Sequence, residues 1–228
     1  MTLIKSSISE EFDAFSKNYR NDMIAVVPHY EDLLNAYMQA IPADKKINHV
    51  LDIGCGNGTI TELLQTKYPD AAYTLIDASI EMLNICRIRL AELSVDYVQT
   101  YFNEYVFPED RYDIAVAGFS LHHCQAQEKR LLYQKVFRSL AADGIFVMSD
   151  LFIGKGDEDH PALLAEWKAH VLNHDRTGRK WAWLSEHYAA FDYPDNLKNV
   201  ILWLEQAGFA QIEIVWQQGH WINLKAIK

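Results

Sequence analysis

From residue 49 to 149 short apolar runs alternate with amphipathic stretches of helical length, and few chain architectures accommodate that pattern. The apolar runs His49–Ile53, Ala72–Ile76, Asp96–Thr100, Asp113–Ala117 and Ile145–Ser149 read as strands. Between them, Thr59–Lys67, Ile80–Leu93 and Glu128–Leu140 carry apolar residues at helical spacing, the last closed by Ala142-Asp143-Gly144, with glycine past the helix end. Strands that are apolar on both sides, each followed by a helix, predict a parallel, doubly wound sheet covered on both faces.

The flanks read differently. Residues 1–45 predict two helices, Glu10–Tyr19 and Met23–Met38, ended by Pro42. After Asp150 the alternation stops, and residues 151–193 are polar, rich in Gly, His and Trp, which suggests a helical insertion. The sheet pattern then resumes over 194–228. Leu197, Val200, Ile201 and Leu204 mark a helix that Gly208 stops, and strands at Gln211–Trp216 and Trp221–Ile227 follow. Only Gln217 to His220 separate those strands, so they predict an antiparallel hairpin at the sheet edge. The expected division is 1–45 helical, 46–150 core, 151–193 insertion and 194–228 final helix and hairpin.

Composition narrows the function. The 228 residues are 50% apolar and 23% charged, as in ordinary globular chains. A formal charge of −10 repels phosphate backbones and disfavours a nucleic-acid partner. Three dispersed cysteines, Cys55, Cys86 and Cys124, fit neither a disulfide framework nor a zinc ribbon and suit a reducing cytoplasm. No apolar stretch has signal-peptide or membrane-spanning length.

Chemistry concentrates where the first strand ends, in Asp52-Ile53-Gly54-Cys55-Gly56-Asn57-Gly58-Thr59. Glycines there permit left-handed backbone and let a ligand approach the main chain, while the next helix offers unpaired N–H groups. The G-x-G-x-G spacing departs from the dinucleotide fingerprint G-x-G-x-x-G, which disfavours an NAD-dependent oxidoreductase. Nineteen residues after Gly58, Asp77 closes the second strand, placed to accept hydrogen bonds from ribose hydroxyls, and Ser79 caps the helix that follows.

With these motifs the chain resembles the class I S-adenosylmethionine-dependent methyltransferases over about residues 45–228. The resemblance rests on Val50-Leu51-Asp52-Ile53-Gly54-Cys55-Gly56-Asn57-Gly58, Asp77, Tyr112–Val116 followed by Ser120-Leu121-His122-His123, and Ala142–Val147. It implies a Rossmann-like seven-stranded sheet with the last strand antiparallel, and S-adenosylmethionine as cofactor. Gly54 and Gly56 would face the methionine part, Asp77 the ribose and Met82 the adenine. Asp52 and Cys55 within the motif, Ala78 beside Asp77, and Gly118 after the fourth strand complete the expected set. The acid that the family usually carries after the third strand is replaced by Tyr101 or Phe102, with Asn103 and Glu104 nearby; an aromatic there could stack on adenine. Lys17–His29 resembles the N-terminal lid of small-molecule members, with Tyr19 closing over the cofactor. The terminal patterns also resemble the carboxy-SAM synthase branch, for which Arg20 and Arg87 are the arginines of interest.

Residues beyond the fourth and fifth strands would face the transferred methyl: Gly118, Phe119, Ser120, His122 and His123, then Asp150, Leu151 and Phe152. His122, His123 and Asp150 are the catalytic candidates, because a base near neutral pKa helps a hydroxyl or amine acceptor; backbone-bonded or pocket-lining roles compete. His170 and His174 stand i, i+4, but two ligands do not make a metal site, so a solvated face is expected and no metal is. Trp181, Trp183, Tyr188, Phe191 and Tyr193 could form an aromatic lid or pack the insertion's own core. Glu186, His187 and Asp192 could add polar contacts, and Arg176, Arg179 and Lys180 form a small basic cluster. The expected partner is a small-molecule methyl acceptor, with a homodimer open. A tRNA substrate, a carboxy-SAM-type reaction and a non-catalytic SAM-binding module are the alternatives.

Overall fold

The computed structural model describes residues 19–228. The helix expected over Glu10–Tyr19 lies outside them except for Tyr19, whose side chain is also outside the described part. Helices α1 (Tyr19–Val26) and α2 (Tyr30–Ala40) replace the single helix expected over Met23–Met38. Pro28 explains the break: its ring pushes Val27 away from helical angles and it brings no N–H, while His29 turns left-handed at φ 60°.

Then come β1 (His49–Ile53), α3 (Thr59–Lys67), β2 (Ala72–Asp77), α4 (Ile80–Arg89), β3 (Val95–Gln99) and β4 (Tyr112–Gly118). A single 3-10 turn, Leu121–His123, leads to α5 (Ala126–Ser139), opened by a capping box between Gln125 and Glu128. β5 (Leu140–Leu151) follows without a turn, so the helix stop expected at Gly144 lies inside a strand. Asp143, at φ 58°, and Gly144 form an irregularity where the register passes from Tyr112↔Leu140 to Ile114↔Ile145. The chain ends with α6 (His160–His174), α7 (Arg179–Phe191), α8 (Leu197–Ala207), β6 (Gln211–Gln218) and β7 (Trp221–Ile227).

The seven strands run in the order β3-β2-β1-β4-β5-β7-β6. β1 to β5 are parallel, and β7 is antiparallel to both neighbours, as the hairpin reading expects. Alternation along each central strand feeds two cores. Leu51, Ile53 and Phe146 face α5 and α8, whereas Val50, Leu75 and Val147 meet residues of α2, α3 and α4. Strand order reverses between β1 and β4, which leaves a crevice beyond their carboxyl ends.

A third core lies over those ends. Met23, Val26 and Val27 of the first helix and its exit pack with Leu163, Trp167 and Val171 of α6, Leu184 and Tyr188 of α7, and Trp221. Trp167 Nε1 donates to the Val26 carbonyl at 2.5 Å, and Lys180 pairs with Asp22. Tyr37 anchors α2 beneath them: its buried hydroxyl donates to Ala117 O (2.6 Å) and accepts from Ser149 N–H (2.9 Å), bridging β4 and β5.

Candidate active site

The turn after β1 is left-handed at all three glycines, with φ 71°, 52° and 80° at Gly54, Gly56 and Gly58. A Cβ at Gly54 would stand 2.4 Å from Ser120 Cβ and 3.0 Å from Phe102 Cζ, so only glycine fits. Asp77 holds the turn from the neighbouring strand. Gly56 N–H donates to its Oδ2 at 2.8 Å and Ser79 N–H to its Oδ1 at 2.9 Å. Ser79 Oγ accepts from Met82 N–H at the start of α4.

Asp52 lies under this turn, fully buried. Thr61 Oγ1 donates to its Oδ2 at 2.7 Å, and Oδ1 has no hydrogen-bond partner among the described residues. Burial pushes its carboxyl up to about 7, opposed by the Thr61 bond and reinforced by the charge of Asp77.

The turn opens on a cavity of about 470 Å³. Gly54, Gly56, Asp77, Ala78 and Met82 form one wall, Tyr101, Phe102, Asn103 and Glu104 another, and Leu132, Lys135 and Arg138 of α5 a third. Asp52, Cys55 and Gly118 back the wall rather than line it; a Cβ at Gly118 would meet Ile60 Cδ1 at 2.2 Å. Bare backbone, a strand-end carboxylate and flanking aromatics in a cavity of small-molecule size fit an adenosyl ligand. The α5 residues escape the strand-end logic because they come from a helix crossing above the crevice.

A second, smaller cavity of about 70 Å³ lies under α1, α6 and α7, lined by Met23, Val26, Trp167, Trp183, Tyr188 and Trp221 among others. The two cavities share Phe119 and His123 in their walls. Phe119 holds φ 53°, a left-handed angle that costs a bulky residue on the order of 1 kcal/mol.

The polar groups of the smaller cavity form one cluster. His122 Nδ1 lies 2.5 Å from Asp150 Oδ1, and His122 N–H donates to Asp150 Oδ2 at 3.1 Å. Asp192 Oδ1 lies 3.1 Å from His123 Nδ1, 3.5 Å from His187 Nε2 and 3.9 Å from His122 Nε2. Burial pulls the His122 pKa down, but Asp150 and Asp192 outweigh it and hold the ring above its ordinary value. Burial and the charge of His122 keep His123 below. For Asp192, burial is overcome by the three imidazoles, and its pKa falls to about 2. Two bonds fix the carboxylate's segment: Tyr193 N–H donates to His122 O at 2.6 Å, and buried Lys129 pairs with Asp195 at 2.6 Å.

The three catalytic candidates therefore meet, joined by His187 and Asp192. Of the tryptophan pair in α7, Trp183 lines the smaller cavity while Trp181 packs on Trp167. His170 approaches the Ile24 carbonyl at 3.3 Å and His174 Nδ1 lies 3.0 Å from His170 O, so that pair serves helix packing. Of the basic cluster, Lys180 ties α7 to α1. Arg87 is exposed and lies over Tyr97, outside both cavities. No helix among the described residues is long and apolar enough to cross a membrane.

Known proteins resemble the chain in sequence and in fold. A family model described as "Methyltransferase domain" matches residues 50–144. Carboxy-S-adenosyl-L-methionine synthase of Campylobacter lari is 24% identical over 222 residues, covering 94% of this chain and 92% of its own. Malonyl-[acyl-carrier protein] O-methyltransferase of Acetivibrio thermocellus is 28% identical over 137 residues, 59% of this chain and 47% of its own. The N-methyltransferase NodS of Bradyrhizobium japonicum, solved with S-adenosyl-l-homocysteine, superposes with a TM-score of 0.66 at 15% identity, over 96% of this chain and 97% of its own. With the glycine turn, the Asp77 contact and this sheet order, residues 50–144 carry a methyltransferase domain, and the chain as a whole is similar in fold to S-adenosylmethionine-dependent methyltransferases.

Proposed function

We propose that the protein methylates a small-molecule acceptor held in the smaller cavity, with the cofactor in the larger one. The shared wall of Phe119 and His123 is the observation that carries this reading, because it puts two compartments on either side of one imidazole. S-adenosylmethionine supplies an electrophilic methyl group on a sulfonium. The chain's part is to hold the nucleophile in line and about 3–3.5 Å away. Gly54, Gly56, Asp77, Met82, Tyr101 and Phe102 hold the cofactor side. His123, depressed in pKa and so neutral at pH 7, accepts a proton from a hydroxyl or amine, while Asp150 and Asp192 raise the pKa of His122 beside it. Aromatic walls and a volume of a few heavy atoms favour a compact acceptor or a compact end of one. The lid and cap roles of residues 19–40 and 151–193 belong to this reading, as does a reducing cytoplasm, which suits three free cysteines.

Release of S-adenosylhomocysteine from a panel of small hydroxy and amino compounds tests it. Turnover that drops with His123→Gln supports the reading, and turnover with none of them, or one indifferent to His123, contradicts it. The near full-length likeness to the carboxy-SAM synthase of Campylobacter lari favours a second reading, in which the cofactor itself is the product. Arg87 lies away from the cavities and the Arg20 side chain lies outside the described residues; among the described residues the lysine and arginine lining the cavities are Lys135 and Arg138 on α5. Mass spectrometry of the nucleoside product separates the two.

A further inference from the structure

Imidazoles from two distant segments converge on a single carboxylate oxygen where the cavities meet. One donor atom from each of His122, His123 and Asp192 lies within 4.8 Å of the others. Measured from Asp192 Oδ1, the nitrogens stand at 3.1 Å (His123), 3.5 Å (His187) and 3.9 Å (His122). Ligands about 2.0–2.1 Å from a tetrahedral cation are themselves separated by about 3.3 Å. The observed spacings bracket that value.

The ring of His122 is also oriented as a ligand would be. Asp150 engages its Nδ1 and its backbone N–H, which leaves Nε2 turned toward Asp192. A carboxylate holding the far nitrogen is the outer support that metal-binding histidines use. The cluster is sequestered, with the Asp192, His123 and His187 side chains 8%, 11% and 6% exposed. Its two halves are pinned by Tyr193 N–H on His122 O and by Lys129 on Asp195. We propose that His122 Nε2, His123 Nδ1 and Asp192 Oδ1 bind a first-row divalent cation of the zinc type, with a solvent molecule in the remaining position and His187 holding Asp192 from outside. Two imidazoles and one carboxylate select such an ion over magnesium or calcium, which favour all-oxygen ligand sets. A proton and a cation are alternative loads for the same nitrogens, so the cation enters by displacing protons.

The test uses the full chain stripped with chelator, with zinc chloride as titrant in calorimetry and cobalt chloride as its spectroscopic substitute. The expected result is one equivalent of zinc bound, with proton release seen as a heat that depends on the buffer, and cobalt bands of tetrahedral intensity. His123→Gln and Asp192→Asn should each weaken zinc binding at least tenfold, while His174→Gln, at an exposed position near the end of α6, leaves it unchanged. S-adenosylhomocysteine affinity of metal-free Asp192→Asn, a residue outside the cofactor cavity, should stay at the wild-type value, which keeps this proposal separate from the cofactor assignment and shows that the variant folds. Zinc binding undiminished in His123→Gln, or absent from a wild-type chain that still binds S-adenosylhomocysteine, overturns it.

Discussion

Asp150 grips His122 twice, through the ring Nδ1 at 2.5 Å and through the backbone N–H at 3.1 Å. The residue near the end of β5 thereby fixes the position and raises the pKa of a side chain in the turn after β4. Asp150→Asn should lower the His122 pKa, visible as an acid shift of its ring C–H titration by NMR, because the largest favourable charge is gone. Methyl transfer should fall by about 10–100-fold with cofactor affinity unchanged. An unshifted titration would contradict this.

Asp77 has a second duty that the ribose reading alone does not anticipate. Its oxygens accept the Gly56 and Ser79 N–H groups, so Asp77→Ala should loosen the turn, destabilise the fold by about 1–3 kcal/mol and weaken S-adenosylhomocysteine binding at least tenfold. Asp77→Asn, which keeps one acceptor, should recover part of the stability but less of the affinity. Denaturant melts and calorimetry on both variants check the split.

Gly54→Ala should be more damaging than either. A Cβ would collide with Ser120 at 2.4 Å and sit at φ 71°, a conformation costing an L-residue about 1–2 kcal/mol before the clash is counted. Loss of cofactor binding with a lowered melting temperature is expected; full affinity would contradict the bare-backbone cradle.

Two buried acids should tilt stability against pH in opposite directions. Asp52 titrates near 7 when folded and near 4 when unfolded, so its contribution falls as pH rises from about 4 to 7. Asp192, near 2 when folded, contributes above about pH 4 and is lost as pH falls towards 2. Thermal midpoints across pH 3–8 should therefore lose their neutral-side decline in Asp52→Asn and their acid-side loss in Asp192→Asn.

Lys129 is 3% exposed and pairs with Asp195 from the face of α5. Lys129→Ala should cost about 3–5 kcal/mol by leaving Asp195 without its buried partner. Lys129→Met with Asp195→Leu should recover most of that, as a chemical-denaturation double-mutant cycle would show.

The strands and the glycine turn were legible because their signals are local. Apolar runs at His49–Ile53 and Trp221–Ile227 and the helix Thr59–Lys67 have the bounds their pattern predicts. Local punctuation also misled. Pro28 splits a helix whose apolar spacing runs unbroken across it, and Gly144 serves a strand irregularity although it follows a helix. Gly54, Gly56 and Asp77 could be placed at one edge from chain order, since strand ends in a doubly wound sheet share it, whereas Met82 is expected there only through the family resemblance. Asp192 could not. It reaches His123 only because α6 and α7 fold back over the sheet and Tyr193 docks on His122, contacts that no periodicity encodes.

Calorimetric titration of the chain with S-adenosylhomocysteine tests the central claim most directly. The cradle of Gly54, Gly56 and Asp77 predicts one equivalent bound, with binding abolished by Gly54→Ala. Saturating S-adenosylhomocysteine that produces no heat and no stabilisation of the wild-type fold would contradict it.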